Sequence, residues 1–384
     1  MFMLHFSRNI YMSFLPLEFT KITMNLDQRI DAFVTLGLFL AQFSSPIEDS
    51  TNSLPSEAHS VDLSLPDAGV FFERMIQTLQ DTHHQNTWFT YDNLAFSCKS
   101  WSDALTKENL TNWVSRYTIS EVKSPKTIAI VMAGNIPLVG FHDFLSVLLC
   151  GHKVQAKLSS KDEKLIPFLA RYLCVIAPGF KPFITFTDDT LKDFDAVIAT
   201  GSNNTATYFD HYFSKYPHII RKNRNAVAII TGNETPKQME ALADDVFRYF
   251  GLGCRNVSKI YIPKQYNLDH FFNGMYAWKQ VINNHKYINN YDYNKAVYLM
   301  SDIKLFDNEY MLLKEDTGFN SPISVVFYER YKDIHELRAL LETQKQNIQC
   351  IVSLEDVPFG VAQTPTLSDY ADGVDTLKFL IKLL

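Results

Sequence analysis

The stretch RYFGLGCRNVSKIYIP, residues 248–263, sets Cys254 after Gly251 and Gly253, before Arg255, and directly ahead of an apolar run with strand character. A cysteine in this setting can act as a nucleophile. Glycines let the backbone turn tightly and let a ligand come close. A neighbouring arginine and the amides of a turn favour the thiolate, which is the attacking form. Free cysteine is also among the most buried residue types, so the local pattern leaves two readings open, a displayed nucleophile and a packed thiol. The other cysteines do worse on the same test. Cys150 and Cys174 fall on apolar faces of predicted helices, Cys350 enters the strand-like CIVSL, and Cys98 carries no signal. Five scattered cysteines without a CxxC pattern point to neither a disulfide framework nor a metal site, and they fit a reducing, cytoplasmic setting. No histidine is placed by a local motif to act as a base; His218 is the nearest one upstream of this unit.

The elements around Cys254 follow from pattern. Thr235 caps, Pro236 takes the first helical position and Gln238 completes a capping box. Met239, Leu242, Val246 and Phe250 then form one apolar face, which predicts a helix running out at Gly251. Upstream, TIAIVMA (127–133), KVQAKLS, PFITFT, DAVIAT (195–200) and AVAIIT (226–231) read as strands. PLVGFHDFLSVLLCG, KDEKLIPFLARYLCVIA and the region near 208–216 read as helices between them. Such alternation predicts βαβ units in a mostly parallel, doubly wound sheet. Earlier still, helical patterns cover roughly 71–80 and 101–117, and the Ser- and Pro-rich residues 44–68 read as an exposed loop. Asn25 opens another apolar-faced helix. The first 23 residues are apolar but broken by His5, Arg8, Asn9 and Glu18, without the organisation of a signal peptide. They are predicted to be an upstream extension, with the fold beginning near Met24.

A chain of 384 residues with 46% hydrophobic and 20% charged residues has the balance of a soluble globular protein. The net charge of −6 gives no basic excess for nucleic acid. No run is long and apolar enough to span a membrane. The 29 Phe and 19 Tyr suit a full core, with an apolar ligand channel as the second use.

Several segments, taken in order, resemble the aldehyde dehydrogenase superfamily, and within it the LuxC-like fatty acyl-CoA reductases. The resemblance runs from about Trp88 to the carboxyl end. NTWFTYDNLAFSCKSWSDALTKENLTNWV is similar to the LuxC-type amino-terminal segment, and PFGVAQTPTLSDYADGVDTLKFL to the family's closing segment. GNIPL is similar to the superfamily's WNxP segment, which implies an oxyanion-hole role for Asn135. On its own GNIPLVG lacks the dinucleotide GxGxxG fingerprint. GHKVQAKLSS resembles the strand whose lysine contacts the adenosine ribose, here Lys157; ATGSNNTATYF resembles the turn near the cofactor phosphates, here Thr200, Gly201 and Ser202. GLGCRNVSKIYI matches the nucleophile segment with Cys254 in register.

The resemblance implies an aldehyde dehydrogenase-like α/β fold, with two Rossmann-like, mostly parallel sheet domains and an amino-terminal helical segment. The expected division is 24–125 helical, 126–232 cofactor-binding, 233–362 catalytic, and 363–384 returning to the cofactor domain or an oligomer interface. Aldehyde-oxidising members carry a water-activating glutamate upstream of the cysteine; the corresponding HIIRKNRNAVAII holds no carboxylate. A thioester on Cys254 then lacks the base that would hydrolyse it. This predicts reduction of an acyl thioester, carried by coenzyme A or a protein, to the aldehyde. NAD-specific relatives place a glutamate three residues after the lysine; here that position is Ser160, flanked by Ser159 and Lys161, which predicts NADPH, with no metal. The alternative reading is that Lys161 and Asp162 merely open the next helix and face solvent. KEDTGFNSPISVV loosely echoes the segment whose carboxylate holds the nicotinamide ribose, leaving Glu315 or Asp316 as candidates. Superfamily members are commonly dimers or tetramers, which implies a homo-oligomer. An acyltransferase, a non-catalytic acyl-binding subunit and an aldehyde-oxidising dehydrogenase remain as alternatives on the same fold.

Overall fold

Short β-branched runs and the helices between them build two sheets. The computed structural model describes residues 24–46, 61–119 and 122–384. The expected upstream extension (1–23) and most of the Ser- and Pro-rich loop lie outside the described residues. The first sheet contains β1 (Thr127–Val131), β2 (Lys153–Lys157), β3 (Ile184–Phe186), β4 (Ala196–Thr200) and β5 (His218–Arg221), all parallel, in the order β3-β2-β1-β4-β5. The second contains β6 (Asn225–Ile229), β7 (Val257–Pro263), β8 (Leu305–Asp307), β9 (Leu312–Glu315), β10 (Val325–Tyr331) and β11 (Ile348–Val352), in the order β11-β6-β7-β10-β9-β8. Only the β8–β9 pair is antiparallel. This is the expected α/β architecture, with one correction. The strand at 225–229 belongs to the second sheet, so the passage between sheets falls at 222–224 rather than at 232. A parallel, doubly buried strand reads alike in either sheet, and β5 is too short and charged to announce the end of the first.

The amino-terminal helices are α1 (Leu26–Ala41), α2 (Ala68–Gln85), α3 (Tyr91–Ala104) and α4 (Lys107–Val114). Helix α1 starts on a capping box between Asn25 and Gln28. The single helix expected over 101–117 is two, because Thr106 caps a new helix by accepting the Asn109 N–H at 3.2 Å. This layer packs on α5 (Phe141–Leu149) and α6 (Leu165–Ile176) over one face of the first sheet. The contact is largely aromatic: Phe39 lies 4.1 Å from Tyr172, Phe71 4.8 Å from Tyr172, and Phe43 5.0 Å from Phe72, centroid to centroid. Much of the high aromatic content is therefore core.

Helix α7 (Asn203–Tyr212) starts earlier than the expected 208 because Ser202 caps it. Helix α8 (Pro236–Phe247) has the expected capping box of Thr235 and Gln238. It stops at Phe247, not Gly251, since Tyr249, Phe250 and Gly251 turn left-handed at φ 53°, 58° and 75°. Phe250 therefore leaves the helical face assigned to it. Helices α9 (Leu268–Met275), α10 (His285–Met300) and α11 (Ile334–Thr343) complete the second unit. Helix α12 (Thr376–Ile381) returns to α5, with Leu377 and Leu380 buried in the first core. Among the described residues, no helix is long and apolar enough to cross a membrane.

Candidate active site

Cys254 sits in the loop between α8 and β7 and is the exposed one of the five cysteines. Asn256 shapes that loop. Its buried side chain accepts the Gly253 N–H at 2.8 Å and donates to the carbonyls of Arg248 at 2.8 Å and Asp245 at 3.0 Å. A Cβ on Gly253 would stand 2.9 Å from Asn256 Oδ1, so only glycine lets this staple close. Asp245 in turn accepts the N–H groups of Gly360 at 2.6 Å and Ala362 at 2.9 Å, which ties the loop to the carboxyl-terminal segment. The Cys254 thiol is raised above its ordinary value, chiefly by the protein packed around it; Arg255 pulls it down most strongly, and Asp372 pushes it up. It is a thiol on the floor of a cleft, reachable by solvent and partly desolvated.

Asn135 faces the same loop. Its side-chain amide donates to the Leu252 carbonyl at 2.7 Å, two residues ahead of Cys254, and the second amide proton is left for another acceptor. The segment that carries it is held in an unusual form. Leu138 has φ 59°, and its N–H is held at 2.9 Å by Asp162, whose carboxyl is pushed up to about 7 by burial. Asp162 is thus a buried support and not the exposed opening of a helix; Lys161 beside it is exposed. The left-handed Leu138 also explains why α5 begins at Phe141, later than the PLVG run suggests.

The other sequence-derived candidates lie on adjacent strand ends. Val131 pairs with both Lys157 and Ala199, so β2, β1 and β4 end level with one another. Lys157 ends β2, Thr200 ends β4, and Gly201 and Ser202 lead into α7. In open parallel sheets, ligands bind outside the carboxyl ends of strands where the strand order reverses, and β1/β4 is such a point here. Ser202 caps α7 through the Thr205 N–H at 3.2 Å, leaving a helix start of the kind that receives phosphate. Gly134 lines this edge without room for a side chain, since a Cβ there would lie 2.6 Å from Ser159 Oγ. Ser160 and Lys161 are exposed at the rim. Lys157 Nζ donates to the carbonyls of Asp188 at 3.1 Å and Asp189 at 3.3 Å, which uses two of its three protons. The arrangement fits a dinucleotide. Neither alternative for the ribose carboxylate lines the cleft: Glu315 is exposed at the end of β9, and Asp316 is engaged by Lys314 and by the Gly318 N–H at 2.8 Å.

Cys254 opens on a cleft of about 970 Å³ of empty space, mouth included. Its walls come from three distant stretches: Ser97, Ser100, Trp101 and Ala104 along one face of α3; Ile136 to Val139 beside Asn135; and Pro365 to Leu367 of the returning carboxyl segment. Apolar side chains dominate these walls. The spacing 97, 100, 101, 104 is that of one helical face, yet sequence alone could not tell a face turned to a cavity from one turned to core. Sequence reasoning also missed the supports. Asp245 and Asp162 act through hydrogen bonds to residues far along the chain, and Asn256 acts on the three to eleven residues before it without a recognisable motif. His142 lines the cleft with Nε2 2.9 Å from the Leu367 carbonyl, and burial holds its pKa down. Among the described residues, no group of His, Cys, Asp and Glu is arranged to hold a metal ion.

Residues 103–273 match the acyl-CoA reductase (LuxC) family. No match to a curated protein is found. Solved structures resemble the fold at low identity. Aldehyde dehydrogenase 21 from Physcomitrella patens, in complex with the product succinate, aligns with a TM-score of 0.62 at 12% identity, covering 94% of this chain and 85% of that one. An aldehyde dehydrogenase from Bacillus cereus, in its NAD+ complex, gives 0.51 at 10%, with 85% and 76% covered. Lactaldehyde dehydrogenase from Escherichia coli gives 0.52 at 12%, with 85% and 75% covered.

Proposed function

We propose, for a chain whose residues 103–273 match the acyl-CoA reductase (LuxC) family and whose fold resembles the aldehyde dehydrogenases, an NADPH-dependent reduction of fatty acyl-CoA, or another acyl thioester, to the aldehyde through an acyl group on Cys254. The observation that carries this reading is the apolar cleft with Cys254 on its floor and Asn135 tethered two residues away. The apolar walls receive the acyl chain and exclude water. The Cys254 thiolate attacks the thioester carbonyl, a C–S bond forms, and coenzyme A leaves as a thiolate. The Asn135 amide, with the Cys254 backbone N–H, stabilises the oxyanion; one such donor contributes about 3 kcal/mol. A bound reduced nicotinamide supplies the hydride. Cys254 then departs as thiolate from the hemithioacetal as the aldehyde forms. Lys157, Thr200, Gly201 and Ser202 hold the dinucleotide, while Ser159, Ser160 and Lys161 accept its 2′-phosphate.

The stretch 218–230 contributes no carboxylate to the cleft; the residue it contributes is Arg221. This supports a thioester that outlives encounters with water. The test is NADPH oxidation followed with and without acyl-CoA, in wild type and Cys254→Ala. Aldehyde is expected only from the wild type with both substrates, and the variant should melt within a few degrees of it. Incubation with labelled acyl-CoA and no cofactor should leave label on Cys254. Label on Cys150 or Cys174, or rapid release of free fatty acid, would overturn the reading, and a tenfold preference for NADH would overturn the cofactor assignment.

A further inference from the structure

Arg221 ends β5 in the stretch where aldehyde-oxidising relatives carry their base, and it reaches three parts of the site at once. Its carbonyl accepts the Gly201 N–H at 3.2 Å, which fixes the turn at the cofactor edge. Its guanidinium is clamped by Asp143 of α5, with Nη1 2.8 Å from Oδ2 and Nη2 2.7 Å from Oδ1, and Nη2 also donates to Thr376 Oγ1 of α12 at 2.9 Å. Both charged side chains are more than nine-tenths buried. The pair is not symmetric about the cleft, however. Arg221 lines it beside Cys254, and Asp143 does not. A buried ion pair presents a dipole to its surroundings, and here the cationic partner is the one that lines the cleft with Cys254, where it lowers the pKa of the thiol, though less than Arg255 does.

We propose that Arg221 is a positioning residue for the chemistry of Cys254: a fixed cation that makes the thiolate accessible in a cleft whose apolar walls oppose it. The inference rests on the reading of Cys254 as nucleophile. Buried charge in poor dielectric acts strongly over short range, and the clamp spares Arg221 any reorganisation when charge appears on sulfur. The other charges facing Cys254 are Arg255, which favours the thiolate, and Asp372, which opposes it and is itself paired with Arg224. Asp369 and His142 also line the cleft, and the thiol of Cys350, which interacts electrostatically with Arg255 and Cys254, is raised to about 12 by burial. Arg221 differs from Arg255 in being almost fully buried and held by two tethers, so salt should screen it less.

The experiment is the pH dependence of Cys254 alkylation by iodoacetamide on the full chain, with Cys254→Ala as blank. Arg221→Gln should raise the midpoint by about one pH unit, a tenfold loss of reactivity below it. Arg221→Lys should stay near wild type. Asp143→Asn removes the opposing charge and should lower the midpoint. A merely structural role would move Gln and Asn variants the same way; that result, or a Gln variant that folds and titrates as wild type, overturns the proposal. If Arg221→Gln does not fold, the Lys and Asn variants decide: Lys near wild type with Asn lower sustains it, and any other pattern overturns it. A wild-type Cys254 that is not alkylated at all would instead overturn its assignment as nucleophile, and that outcome is read separately from aldehyde formation.

Discussion

The two sheets present their ends to the cleft in different ways. On the first, three parallel strands finish level, and Lys157, Asn135 and Thr200 to Ser202 follow directly from their carboxyl ends. Their positions are set by ladder hydrogen bonds a few residues away. On the second, Cys254 arrives before the amino end of β7, on a loop that passes through three consecutive left-handed residues. Non-glycine residues in that conformation cost roughly 1 kcal/mol or more each, and the loop keeps its shape through Asn256, Asp245 and the carboxyl-terminal segment. The sheet side is positioned chiefly by its own secondary structure, with Asp162 and the Ser202 cap as side-chain supports; the loop side depends on side chains throughout. Loss of Asn135 itself should therefore appear in chemistry, and damage to the loop side in chemistry and stability together.

The sharpest form of that contrast is Asn135→Ala. Loss of an oxyanion donor should lower the rate of aldehyde formation 10²- to 10³-fold, about 3 kcal/mol, with little change in melting temperature. Asn256→Ala breaks the contrast from the other side. It orphans a buried N–H and two carbonyls, so unfolding free energy should fall by about 2–3 kcal/mol in urea titration, along with a slower alkylation of Cys254. An unchanged urea midpoint would mean that the loop is held by something other than this staple.

The third test uses protons. Burial pushes both Asp162, under the Asn135 segment, and Asp245, under the Cys254 loop, from an ordinary 3.8 up to about 7. The folded state therefore binds these protons more tightly than the unfolded chain. Their contribution is fully present below pH 4 and is lost as pH rises through 7. Asp162→Asn should shrink the drop in stability between pH 5 and pH 8 by on the order of 2 kcal/mol, read as melting temperatures at the two pH values. The smallest effect belongs to Ser202→Ala. Loss of the α7 cap should remove about 1 kcal/mol and weaken cofactor binding, seen as a raised KM for NADPH at constant kcat.

This asymmetry also decides what could be read from the chain. Strand runs, the capping box at Thr235 and Gln238, and the residues at strand ends are local patterns, and the fold class follows from them. The passage between sheets was misplaced by one strand because AVAI carries no mark of its partner. The end of α8 was misplaced because Tyr249 and Phe250, neither of them glycine, adopt a left-handed form that depends on Asn256 seven residues on. Asp162 looked like an exposed helix start because its partner, the Leu138 N–H, lies 24 residues earlier. Arg221 went unnoticed in a stretch read only for its missing carboxylate; its role comes from Asp143 and Thr376, 78 and 155 residues away.

The returning carboxyl segment has a consequence for how the protein comes into being. Tyr370 bonds to Trp113 Nε1 and Tyr117 at 2.8 Å, Tyr117 bonds to Asp375 at 2.9 Å, and His142 meets the Leu367 carbonyl. One wall of the reactive cleft thus closes across some 250 residues of chain. Contacts so distant in sequence form late, after their loop entropy has been overcome by the rest of the fold. A nascent chain that has delivered both sheets but not residues 363–381 therefore carries Cys254 without this wall of its cleft.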